Sequence, residues 1–271
     1  MKIFILPLIF LVSYSVSAYD FPKADTVPGG IAIIKLDTIP EMPKAYFGKK
    51  RVMVRKNQTH WEAIVGLPLS IKTGVHKLRV KRGKSSFTKE FSVRSKKYKT
   101  QYLTVKKKHV DLSKESIARY QREKKVIRKA LRTWREDPDV STQFIKPVDG
   151  PYSSQFGLKR FFNNKPRRPH SGLDIAAPIG TTIKAPGQGI VVNTGDYFFN
   201  GNTVFIDHGQ GLITMFCHMN DIQVREGDIV QQGDVVGTVG KTGRVTGPHL
   251  HWSVSLNNTR VEPKLFMSLS E

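Results

Sequence analysis

Between Val191 and Val254 the chain is a succession of short apolar runs cut by glycine-containing turns, a rhythm that selects antiparallel strands over helices. Two units, Val224-Arg225-Glu226-Gly227-Asp228 and Gln231-Gln232-Gly233-Asp234-Val235-Val236-Gly237, repeat the same Gly-Asp turn. Paired turns of this kind between apolar residues predict hairpins in a compact roll of antiparallel strands, beginning near Gln143. Lipoyl-type carrier domains use similar turns, but they need a modifiable lysine at a hairpin tip, and no Asp-Lys or Met-Lys tip is present. Gly240-Lys241-Thr242 looks like the end of a phosphate loop, yet Val235 stands where its earlier glycine is required.

The first half is also β-rich. Ile31-Ala32-Ile33-Ile34, Arg51-Val52-Met53-Val54, His60 to Val65, Lys77-Leu78-Arg79-Val80, Phe87 to Val93 and Tyr102-Leu103-Thr104-Val105 all have strand-like composition. Their close spacing and Gly/Pro/Ser/Asn turns predict a small β-sandwich. His60, His76 and His109 are isolated and are read as structural or solvated. After Lys106-Lys107-Lys108 the pattern changes: Ser113 can cap a helix with apolar residues at Ile117, Tyr120, Ile127, Leu131 and Trp134, interrupted by Lys124. A coiled-coil dimer would suit the stripe, but a linker helix packed on a neighbouring domain is commoner for so short a pattern. Asp137-Pro138-Asp139 ends it.

At the N-terminus, Lys2, the apolar run Ile3 to Val12 and the small residues Val16-Ser17-Ala18 form a secretory signal, with cleavage expected after Ala18. An uncleaved anchor is the rival reading. No later stretch is long enough to span a bilayer, which predicts a mature protein outside the cytoplasm. The one cysteine, Cys217, excludes a disulfide within the chain, so core packing must carry the stability. Its neighbour His218 suggests a Cys-His nucleophile, but alternation along a strand favours Cys217 as a small core residue. Lys+Arg 44 against Asp+Glu 22 gives a formal charge of +22. Such a surface attracts anionic partners; in an exported protein these are envelope polymers rather than nucleic acid.

Chemistry concentrates in His170-Ser171-Gly172-Leu173-Asp174 and Pro248-His249-Leu250-His251-Trp252. Alternate strand residues share a face, so His249 and His251 can enter one groove. Gly172 and the following Ala-Pro-Ile-Gly argue against a helix at His170, whereas an extended or bulged strand would put His170 and Asp174 on one side. His170, Asp174 and His251 make a zinc set with one position left for water. Two neutral imidazoles and one carboxylate would leave that centre at about +1, able to acidify water and polarise a carbonyl. The chain lacks a His-Glu-x-x-His helix, so the proton work falls to imidazoles, with His249 and His218 as candidates. His208, in Asp207-His208-Gly209, is read as a satisfied core residue.

With those segments in place, the C-terminal half resembles the lysostaphin-type (LytM) zinc metallopeptidases that cleave peptidoglycan peptides. Four tracts carry the likeness: Pro169 to Pro178, Gly201 to Gly209, Gly211 to Met219 and Gly243 to Trp252, together spanning roughly residues 145–265. The resemblance implies His170, Asp174 and His251 as ligands of one Zn2+ per chain. It also implies that His218 and His249 act on the water and the oxyanion, and that Asn202 lines the substrate groove. The N-terminal strands look like the immunoglobulin-like domain that precedes this peptidase domain in some Gram-negative envelope proteins, on Gly66-Leu67-Pro68-Leu69 and the tract from Lys99 to Leu103.

The expected architecture is mainly β. It comprises a signal peptide (1–18), an immunoglobulin-like β domain (19–105), a basic helical linker (106–140) and an antiparallel β-roll of the lysostaphin/LytM peptidase type (141–271). The expected activity is a zinc-dependent D,D-endopeptidase acting on peptidoglycan in the periplasm, monomeric, with an envelope regulator as a further partner and no role for nucleic acid. The alternatives are a non-catalytic wall-binding or amidase-activating protein, and a peptidoglycan amidase.

Overall fold

At both Gly-Asp turns the aspartate folds back on its own loop. Asp228 accepts from the Arg225 N–H and Asp234 from the Gln231 N–H, each at 2.7 Å, while Gly227 and Gly233 take φ of +96° and +94°. Those values are left-handed, where glycine pays no Cβ penalty. The computed structural model describes residues 22–37, 41–57, 59–104, 113–137 and 139–267. The signal segment 1–18, the Lys106-Lys107-Lys108 tract and His109 lie outside the described residues.

Six strands make the N-terminal sheet: β1 (Ile31–Lys35), β2 (Lys44–Phe47), β3 (Lys50–Asn57), β4 (His60–Gly66), β5 (Gly74–Arg82) and β6 (Ser85–Val93). Their order is β1-β4-β3-β2-β5-β6, all antiparallel. The sheet curls around its own apolar core of Ala32, Val52, Val54, Ala63, Val65, Leu78 and Val80.

The next strand, β7 (Thr100–Leu103), leaves that sheet. It pairs in parallel with β9 (Lys159–Phe162), which also carries β10 (Lys165–Pro166), giving a separate three-stranded sheet. Composition marks 102–105 as strand, but a parallel partner some sixty residues away leaves no local signal. Helix α1 follows (Lys114–Ala130), with Ser113 Oγ accepting from the Ser116 N–H at 3.2 Å as the predicted cap.

The C-terminal sheet has ten strands. Along its main path the order is β16 (Ile229–Val230), β13 (Gly189–Tyr197), β14 (Gly201–Gly209), β15 (Leu212–Ile222), β18 (Leu250–Leu256), β11 (Leu173–Ile175) and β8 (Tyr152–Ser154). β12 (Thr182–Lys184), β17 (Val235–Val239) and β19 (Thr259–Val261) attach off that path. The Gly-Asp turns are therefore corners rather than hairpins. They link β15 to β16 and β16 to β17, neither of which is a paired couple; β16 pairs with β13 instead, and β17 with β12 and β15. An aspartate that satisfies its own turn can redirect the chain without help from a facing strand.

Both faces of β14, β15 and β18 are covered. One face holds Val204, Ile206, Leu212, Phe216, Trp252 and Val254. The other holds Phe205, Ile213, Met215 and Cys217 against Ile127 and Ala130 of α1 and its C-cap residue Leu131. The helix is thus packed on the roll. Ile31, Met53 and Ile64 of the N-terminal sheet join the first cluster, so apolar packing runs continuously between the two sheets. Two buried amides complete the contact by imitating strand partners. Gln210 accepts from the Val54 N–H (3.0 Å) and donates to the Val54 carbonyl (3.1 Å); Asn257 does the same for Gly66 at 2.7 and 3.2 Å.

Candidate metal centre

Strand pairing builds the centre. Asp174 on β11 lies opposite His251 on β18, and Cys217 on β15 lies opposite His251 from the other side. Directly paired residues share a face, so all three stand on the side of the sheet where α1 packs. His170 is brought in by two backbone bonds, its N–H donating to the Leu158 carbonyl (2.9 Å) and its carbonyl accepting from the Gly157 N–H (2.8 Å). One ligand atom from each of His170, Asp174 and His251 lies within 4.8 Å of the others. In detail, Asp174 Oδ1 is 2.7 Å from His251 Nδ1 and 3.0 Å from His170 Nε2, and the two nitrogens are 3.1 Å apart.

This triangle fits a divalent cation on its own chemistry. His170 faces an acceptor at each nitrogen: the Gln155 carbonyl sits 2.9 Å from Nδ1, and Asp174 Oδ1 beside Nε2. A neutral ring has one hydrogen and can serve only one of them. With Nδ1–H committed to Gln155, the Nε2 lone pair needs a positive centre, which a metal shared with Asp174 and His251 would supply. Burial alone would raise the Asp174 carboxyl, but hydrogen bonds and charge from His170 and His251 outweigh it and hold the group well below the usual carboxylate range. Burial lowers His251, against the opposing pull of Asp174.

His218 and His249 complete a cluster of four imidazoles. His249 Nε2 is 3.9 Å from Asp174 Oδ1, and its ring centre lies 4.9 Å from that of His218. His218 reaches this position against strand alternation, which would send it to the face of Phe216. Instead it adopts φ +64° within a register shift between β14 and β15, its N–H donating to the Asn200 carbonyl at 2.7 Å. A left-handed non-glycine residue at such a bulge stores backbone strain and re-aims the side chain. Burial, then the neighbouring His251 and His249, push the His218 imidazole down to about 3.

Cys217 is buried, and its thiol is pushed up to about 12, chiefly by burial, so the core reading stands. The reason differs from simple alternation, since Cys217 shares its face with His251 but is covered by the cluster under α1. His208 is also a core residue, with Nδ1 on the Gln188 carbonyl (2.7 Å) and Nε2 on Thr214 Oγ1 (2.8 Å). Asn202 lies on β14 beside Thr242, which also meets His218; its N–H donates to Thr242 Oγ1, and Nδ2 donates to the Asn220 carbonyl.

Several supports escaped the sequence reading. The Thr242 carbonyl accepts from His218 Nδ1 (3.0 Å), and its hydroxyl bridges Asn202 and the Met219 carbonyl. Gly172 packs so tightly that an added Cβ would meet His251 Nε2 at 2.6 Å. Arg160 Nη2 donates to Ser154 Oγ (2.7 Å), which lies 3.3 Å from His170 Nδ1. Only Gly172 left a trace, inside the His-x-x-x-Asp motif.

Comparison with known proteins finds matches to both parts of the chain. Residues 168–263 match the model of peptidase family M23, and residues 24–96 match the M23 N-terminal domain. A Pseudomonas aeruginosa protein whose crystal structure is described as a peptidase M23 aligns at a TM-score of 0.76 with 44% identity. That alignment covers 89% of this chain and 95% of that one. Among curated proteins, the peptidoglycan DD-endopeptidases ShyC and ShyA of Vibrio cholerae are 44% identical over 95 residues and 42% over 111 residues. Those stretches are 35% and 40% of this chain, and only 22% and 26% of the relatives, so the match reaches about a quarter of their length.

Proposed function

The chain belongs to peptidase family M23, and on that premise we propose that it is an exported zinc endopeptidase hydrolysing peptide cross-links of peptidoglycan, the D,D bond being its target. The observation that carries the reading is the convergence of His170, Asp174 and His251 within 4.8 Å of one another. The D,D preference is taken from the names of the Vibrio relatives. Action in the periplasm is inferred from that substrate and from the signal-like residues 1–18, and the protein is taken to act as a monomer. No described helix is long and apolar enough to cross a membrane.

His170 Nε2, His251 Nδ1 and an Asp174 oxygen would hold one zinc ion. Zinc in such a set supplies Lewis acidity, which makes water acidic near neutrality and polarises a carbonyl. Proton handling falls to the chain. His218 Nδ1–H is committed to the Thr242 carbonyl and His249 Nδ1–H to the Gly247 carbonyl (2.9 Å), which leaves Nε2 as the lone-pair nitrogen in both neutral rings. Each therefore meets substrate as an acceptor and becomes a donor only after taking a proton. Burial keeps His218 neutral at working pH, so it orients the attacking water by accepting from it and contacts the oxyanion once protonated. His249 takes the attacking water's second proton at its free Nε2 and passes it to the departing amine. Asn202 is assigned to substrate contact from the family resemblance and from its contact with Thr242, the residue that meets His218.

The test is digestion of purified sacculi by the full chain, with mass spectrometry of the products. Loss of cross-linked dimers, with new peptide termini at the D,D bond, is expected. Dimers that survive treatment with folded, zinc-loaded protein would sink the proposal, and release of intact peptides from the sugars would convert it to an amidase.

A further inference from the structure

The small sheet of β7, β9 and β10 is built from two stretches, 94–104 and 151–173, that contain no acidic residue. Lys97, Lys99, Lys159, Lys165 and Arg168 are exposed there. The register places Tyr102 opposite Phe161 and Pro166 opposite Phe161, so the three form a row across three strands on one face. Two steps of strand spacing make that row about 10 Å wide. The rings of Tyr102 and Phe161 stack at 4.8 Å with an interplanar angle of 21°, and Tyr102 is 66% exposed. Thr100 and Lys159 share this face one step earlier along their strands.

An exposed stacked aromatic pair beside cations suits a ligand with flat apolar faces and negative charge. Pyranose rings present such C–H faces, and a peptidoglycan strand carries carboxylates on its peptides and on those sugars that bear no peptide. Position selects this occupant. β9 continues directly from Leu158, whose carbonyl holds the His170 N–H, so Phe161 lies three residues, about 10 Å along the strand, from the residue that anchors the backbone of a ligand of the centre. The sheet is thus a continuation of the site wall, and the peptide cut at the centre hangs from a sugar strand.

We propose that Tyr102, Phe161 and Pro166, flanked by Lys159, form a glycan platform that takes the sugar strand bearing the scissile peptide. This rests on the endopeptidase reading above. It also makes β7, contributed by the segment before α1, part of substrate recognition.

The test measures binding of the full chain to peptide-free glycan strands by fluorescence anisotropy, alongside cleavage of a sugar-free cross-linked peptide dimer. Tyr102→Ala combined with Phe161→Ala is expected to raise the glycan Kd about tenfold, while dimer cleavage stays within about twofold of the unsubstituted chain. Tyr102→Trp should keep binding. Tyr102→Ala alone, at an exposed position, serves if the double variant does not fold. Equal glycan binding by both proteins, or none by the unsubstituted chain, overturns the platform. Tyr102-dependent binding of single-stranded DNA without glycan binding overturns it in favour of another polymer. Because the glycan strands contain no peptide bond to cut, failure of the endopeptidase reading shows only in the dimer assay.

Discussion

The outer strands of the N-terminal sheet and the central strands of the C-terminal sheet are covered in opposite ways. β5 and β6 of the first alternate between exposed and covered residues and bury one face only. β14, β15 and β18 of the second are covered almost throughout, by the roll's own core on one side and α1 on the other. A strand packed on both sides has few ways to relax, and this rigidity suits imidazoles that must hold their tautomers within a few tenths of an ångström. The single-faced strands have freedom in their exposed side chains, whereas Asp174 and His251 of the metal-ligating cluster stand on strands of the ten-stranded sheet, with His170 anchored beside them.

Breaking the centre should have the largest effect. Asp174→Ala removes the charged ligand and is expected to lower kcat/KM on a peptide dimer by on the order of 10³-fold or more, equivalent to about 4 kcal/mol. Zinc stoichiometry by elemental analysis should fall in parallel while the far-ultraviolet spectrum is retained. Full activity in the variant would remove the centre from the chemistry.

The second prediction probes the cost of double covering. Burial pushes His208 down to about 4 from an ordinary value of 6.5. A depressed folded value means that the stabilising contribution is complete above pH 6.5 and is lost as pH falls through 4. The loss is about 3 kcal/mol across that window. Denaturant midpoints from pH 7.5 to 4 should fall less steeply for His208→Gln than for the unsubstituted chain. Parallel curves would show that this ring is not kept neutral by burial.

Gly172→Ala tests how closely the double-covered region is fitted. The new methyl group would press on the His251 ring and the Trp252 carbonyl, both under 3 Å from an ideal Cβ. Zinc affinity, by competition with a chelator, is expected to drop about 10- to 100-fold, as for a lost supporting contact. An unchanged affinity would mean that β18 yields more readily than its covering implies.

What the sequence revealed and concealed follows the same divide. Local chemistry was legible: the Gly-Asp turns, the Ser113 cap and the His-x-x-x-Asp and His-x-His spacings each act within a few residues. The hidden parts depend on distant partners. β7 pairs in parallel with β9, and Thr242 orients His218 across two loops. Gln210 and Asn257 carry no sequence signal for their role as surrogate strand partners for another sheet. The left-handed His218 could not be read either, because its bulge exists only through pairing of β14 with β15.

The smallest effects separate the two environments most cleanly. Gln210→Ala strands the buried Val54 N–H and carbonyl, and an unsatisfied buried group costs about 1–3 kcal/mol. Lys77→Ala on β5 removes an ion pair with Glu90 at 3.5 Å in which both side chains are more than half exposed, and water already screens that attraction. Its expected cost is at most about 0.5 kcal/mol. Urea denaturation of the two variants should therefore give midpoint shifts differing severalfold, with unchanged slopes. If Lys77→Ala matched Gln210→Ala, the open face of the N-terminal sheet would be contributing as much as the sealed contact, and the distinction between the two regions would fail.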